Sequence, residues 1–173
     1  DPQVHHQIGL VVAEMLGRLI NLPEPSNILI VGLGNWNATP DALGPKVVGQ
    51  TMVTRHIFNY APQELQPGMR SVSALAPGVL GITGIETAEI IKGVVDRIRP
   101  DLVIAIDSLA AKNVARIATT IQIADTGVNP GSGVGNQRMG INKESLGVNV
   151  VAIGVPTVVH GAVIAQDTIE QFM

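Results

Sequence analysis

The sequence predicts an α/β fold: a mostly parallel sheet covered by helices on both faces, in three α/β/α layers. Three observations predict it. Apolar runs at 28–31, 102–106 and 148–155 are short enough for strands and read as buried ones. Segments 3–20 and 86–99 carry their apolar residues at helical spacing. The two kinds of segment alternate along the chain, and strands alternating with helices build parallel sheets.

In order, segment 3–20 sets Ile8, Val11, Val12, Met15, Leu16 and Leu19 against Glu14 and Arg18 on the other side, which predicts an amphipathic helix. Pro23 and Pro25 mark a loop over 21–27. The strand 28–32 runs into Gly32 and Gly34, which let the backbone turn tightly at the strand's carboxyl end. Gly44 and Pro45 suit a helix start, and the helix is expected to reach Arg55 through Val47, Val48, Met52 and Val53. Residues 57–68, with Pro62 and Pro67, are expected to be irregular. Alternation of apolar and small polar residues predicts a strand over 70–76, followed by a glycine-rich loop over 77–84. The helix 86–99 carries the stripe Ile85, Ala88, Ile91, Val94, Val95 and Ile98 and stops before Pro100. A strand over 101–106 is expected to end on Asp107, with a short helix over 108–117 and a strand over 118–124. Residues 125–142 form a long loop with five glycines, 148–155 the last strand and 160–172 the last helix. No repeat or linker interrupts the pattern, so one domain over 1–173 is expected.

Composition narrows the chemistry. A formal net charge of −3, a pI near 5.7 and 2% aromatic residues argue against a nucleic-acid ligand. The absence of cysteine removes disulfides, thiol catalysis and zinc–cysteine sites. No apolar run approaches the ~20 residues that span a bilayer, so no membrane partner is expected.

Two strands lead into acids: 28–32 to Asp41, and 102–106 to Asp107. Open α/β sheets place their sites at the carboxyl ends of strands. Neighbouring strands lie ~4.8 Å apart, so loops at one sheet edge can bring two carboxylates together. Such a pair shares a proton, and can then deprotonate a water and protonate a leaving amine. The competing reading is structural: Asp107 followed by Ser108 could cap a helix over 108–117. Both readings stand on spacing alone.

Other motifs point elsewhere only weakly. Gly32-Leu33-Gly34 lacks the third glycine of a dinucleotide turn, because Asn37 stands there. The glycines 131, 133 and 135 are not followed by the Lys-Ser/Thr of a phosphate loop; Gln137-Arg138 follows instead. Gly131, Gly133 and Arg138 are therefore candidates for a substrate loop, with Arg138 able to meet an acidic group. The histidines 5, 6, 56 and 160 show no metal-ligand spacing, and no metal or other cofactor is expected. His160 is the one to watch, since it follows the last strand. Ser73, Ser108 and Ser132 lack a nucleophile-elbow context.

The stretches VGLGNWNATPDALGP (31–45), SVSALAPGVLGITGIET (71–87), AIDSLAA (105–111) and TIQIADTGVNPGSGVGNQR (120–138) resemble the germination protease family of spore-forming bacteria. The resemblance implies an aspartic-type endopeptidase that degrades small acid-soluble spore proteins in the spore core during germination. It implies a self-processing zymogen, a cytoplasmic location and a homo-oligomer, expected to be a tetramer. Its catalytic aspartates fall on Asp41 and Asp107; by position alone, Gly32, Gly34, Asn35 and Ser108 are candidates for shaping the site. Asn35 and Ser108 are placed to orient the carboxylates. Family members are longer than this chain, so their C-terminal part is expected to be missing from it. The implied fold is phosphorylase/hydrolase-like, similar to the hydrogenase-maturation endopeptidases. That similarity supplies one alternative, a nickel-sensing endopeptidase. Another is an inactive truncated relative acting as a binding module.

Overall fold

The computed structural model describes residues 1–132, 135 and 138–172, with the side chain of Gln171 left aside. The chain folds as α1 (Pro2–Leu19), β1 (Asn27–Gly32), α2 (Leu43–Gln50), α3 (Arg55–Tyr60), β2 (Ser71–Leu75) and α4 (Leu80–Thr83). It continues as α5 (Thr87–Ile98), β3 (Leu102–Ala111), β4 (Gln122–Ala124), α6 (Lys143–Leu146), β5 (Asn149–Val159) and α7 (Gly161–Phe172). The five strands lie in the order β2-β1-β3-β5-β4. All neighbours are parallel except β4, which pairs antiparallel with β5. The expected α/β class and mostly parallel sheet are what the chain adopts.

Alternation along the strands sorts the two faces. Leu29, Val31, Val103, Ala105 and Val150 join Ala88, Ile91 and Val95 of α5, with Ile141 and Leu146, in one buried cluster. α2 packs on β1 and β3 through glycine. A Cβ on Gly32 would strike the Gly44 carbonyl, and one on Gly44 would strike Leu33 and lie 2.6 Å from the Ile106 carbonyl oxygen. Gly44→Ala is therefore expected to destabilise the chain by about 1–3 kcal/mol, since the obstacle is backbone and cannot rotate away. Thermal unfolding checks this, and an unchanged melting temperature would contradict it.

Several expected boundaries move. The helix expected to reach Arg55 ends at Gln50. Thr51 turns extended, and the buried Thr54 bonds to the β2 edge: its N–H donates to the Val72 carbonyl (2.9 Å) and its hydroxyl to the Arg70 carbonyl (2.5 Å). A new helix, α3, then occupies part of the segment expected to be irregular. The loop 77–84 contains the single turn α4. The largest correction concerns Asp107. It is not at a strand end, and the short helix expected over 108–117 shrinks to a single 3-10 turn at Val114–Arg116. β3 runs on to Ala111 because β5 also runs on to Val159 and pairs with it, with a register irregularity at Leu109/Ala110. The strand expected over 118–124 shrinks to Gln122–Ala124.

The amphipathic helix α1 forms where the spacing predicts it, but none of its residues is buried. No helix among the described residues is long and apolar enough to cross a membrane.

Candidate active site

β1 and β3 are neighbours, yet the chain leaves them toward opposite sides of the sheet, β1 to β2 and β3 to β4 and then β5. Such a switch point opens a crevice at the carboxyl ends of the strands. β1 stops at Gly32 beside Ile106, so Asp107 is the first residue of β3 to extend past it.

The turn Thr39–Asp41 follows in that space. Leu33 N–H donates to the Ile106 carbonyl (2.8 Å), and Gly34 turns the chain at a φ of 111°. Asn35 N–H then donates both to Oδ2 of Asp41 (2.9 Å) and to its carbonyl oxygen (3.0 Å). A Cβ on Gly34 would run into that same carbonyl. The Asn35 side chain accepts from Asn37 N–H (2.9 Å), which tightens the loop. Thr157 on β5 donates from its hydroxyl to the Pro40 carbonyl (2.6 Å), tying the turn to the sheet.

Asp107 is 8% exposed. Its Oδ1 accepts from Ser108 N–H (2.9 Å). Burial raises the pKa of both acids, because it disfavours the charged form. For Asp41 the rise is partly offset by the Asn35 N–H bond. For Asp107 burial dominates, the Ser108 N–H pulls back, and the negative charge of Asp41 pushes further up, to about 6. The two acids are thus within electrostatic reach of each other.

Both line one cleft of about 740 Å³. Gly78 to Gly81 and residues 129–132 border it, and Arg138 lines it while pairing with Glu86 at 3.4 Å. A second cavity of about 230 Å³ shares Asp107, Leu109, Gln122, Asn129 and Ser132 with it.

Of the residues singled out in the sequence, Asp41, Asp107, Gly34, Ser108, Gly131 and Arg138 all line the cleft. Asn35 and Ser108 do hold the carboxylates, but through their backbone N–H groups rather than their side chains. The Ser108 hydroxyl is buried with no partner among the described residues. Gly32 does not line the cleft; it admits α2. Gly133 lies outside the described residues. His160 lines neither cavity, and among the described residues no three His, Cys, Asp or Glu side chains come together as a metal site. Lys112, Arg116, Gln122 and Asn129 also line the cleft; Gln122 and Asn129 fall inside the block 120–138, but nothing in it singles them out. Gln122 is brought there by the pairing of β4 with β5.

A family model described as germination protease matches residues 1–173. The chain is 59% identical over 170 residues to the germination protease of Caldanaerobacter subterraneus subsp. tengcongensis, covering 98% of this chain and 52% of that one. It is 58% identical to that of Clostridium perfringens strain 13, with the same coverage. It is 54% identical over 176 residues to that of Bacillus subtilis strain 168, covering 100% of this chain and 48% of that one. The chain spans about half the length of these relatives.

Proposed function

Because the chain belongs to the germination protease family, we propose that it is an aspartic-type endopeptidase acting on small acid-soluble spore proteins during germination, with Asp41 and Asp107 sharing a proton to activate water. One observation carries the aspartic assignment. Two carboxylates, Asp41 from the turn after β1 and Asp107 from within β3, line one cleft, and the more buried of them has its pKa raised to about 6. Two neighbouring carboxyls that share one proton can divide the acid and base roles.

In this reading Asp41 is the carboxylate and Asp107 holds the proton. Asp41 takes a proton from water as the water oxygen bonds to the scissile carbonyl carbon. Asp107 gives its proton to the carbonyl oxygen, producing a neutral gem-diol. The carbon–nitrogen bond then breaks. The leaving nitrogen takes the proton held by Asp41, and Asp107 regains one from a gem-diol hydroxyl as the carbonyl reforms. Both carboxyls return to their starting states. The glycine-rich segments 77–84 and 127–140 would shape the peptide cleft. Residues 1–173 act as the protease-like domain, and a homo-oligomer, read as a tetramer in the spore core, belongs to the same proposal.

The test is digestion of a purified small acid-soluble spore protein across a pH series. Cleavage is expected, with kcat/KM falling as pH rises through about 6, where Asp107 loses the shared proton. A second fall is expected at lower pH, where the pair binds its second proton. The two limbs belong to the pair rather than to either acid. Cleavage that continues undiminished to pH 9 would rule out the shared proton.

A further inference from the structure

We infer that Gln122 is a substrate-binding residue, whose carboxamide holds a backbone amide of the bound polypeptide beside the two aspartates. The inference rests on the peptidase reading above and adds a residue to it.

The sheet register carries it. Asp107 stands opposite Gly154 in β5, and Gly154 stands opposite Gln122 in β4. Residues level with one another on adjacent strands face the same side of a sheet. Asp107 and Gln122 therefore face one side, two strand spacings or roughly 10 Å apart. The residue between them has no side chain. Leu109 leans into that space, since a Cβ on Gly154 would lie 2.6 Å from its Cγ. The row reads acid, apolar floor, amide.

Both cavities meet along this row, and Gln122 lines each of them with Asp107. A group at their junction is passed by any chain that runs from one cavity into the other. The Gln122 side chain is exposed and makes no hydrogen bond to a described residue. A carboxamide offers one acceptor oxygen and two donor hydrogens, the complement of a peptide group. It suits a main-chain amide better than a charged side chain.

Gln122→Ala in the purified protein is expected to raise KM for a small acid-soluble spore protein about tenfold, as the loss of two neutral hydrogen bonds would. The change in kcat should stay within about threefold, because Gln122 touches no reacting atom in this scheme. Gln122→Glu keeps the length but removes the donors, and should lose affinity to at least the same extent. Titrating the Asp41→Asn variant with the same protein reads Kd without turnover, and adding Gln122→Ala should weaken it about tenfold. Unchanged KM in both Gln122 variants, or unchanged Kd, overturns the inference. No cleavage by the wild type, with a Kd that still depends on Gln122, sinks the peptidase reading alone. Neither cleavage nor binding overturns both.

Discussion

Asp41→Asn and Asp107→Asn are each expected to lower cleavage of a small acid-soluble spore protein by a factor on the order of 10²–10⁴, the worth of a positioned acid or base. The argument is one of charge and proton count. An amide cannot take a proton from water, so Asp41→Asn removes the base. It cannot release one to the carbonyl oxygen either, so Asp107→Asn removes the acid. The fold should survive both. Oδ1 of an asparagine still accepts a backbone N–H, so the bonds from Asn35 and Ser108 can persist. The effects should not multiply in the double variant, because the two groups act as one unit. Digestion assays beside circular dichroism check this, and full activity in both single variants would end the assignment.

The second large effect is on stability. Asp107 carries a folded-state pKa of about 6 against a reference of 3.8. The folded chain therefore binds this proton more tightly than the unfolded one. The stability linked to it is fully present below about pH 4 and is lost as pH rises through about 6. At pH 8 the folded chain bears a buried charge that the unfolded chain holds in water. Asp107→Asn removes that burden and is expected to stabilise by up to about 3 kcal/mol at pH 8. For a chain of this length that is about 2–4 °C of melting temperature per kcal/mol. The gain should vanish near pH 4. Thermal unfolding of both proteins at pH 4 and pH 8 decides it. An equal gain at both values would mean that the effect is packing and not charge. A variant less active yet more stable is what a strained catalytic group predicts.

Much of this was legible in the chain. The runs at 28–31 and 102–106 announced two central strands, and their positions selected Asp41 and Asp107 before any geometry. What could not be read was pairing at a distance. Asp107 followed by Ser108 looks locally like a helix cap, but ten residues of β3 pair with β5, and that tertiary pairing overrides the local signal. Thr54 is similar: nothing nearby shows that it will leave a helix to bond β2. Gln122 is hidden for the same reason. It shares no motif with Asp107, and only the register through Gly154 sets them level.

Both acids are held by main-chain N–H groups, those of Asn35 and Ser108, and every residue except proline supplies one. Sequence drift at positions 35 and 108 can therefore alter what surrounds the pair without releasing either carboxylate. Selection on the geometry of the pair falls instead on the chain's path, at Gly34 and Gly44, where an added methyl group would collide with backbone. An engineer wishing to change what this cleft accepts can vary the side chains at its rim and leave the carboxylate pair in place.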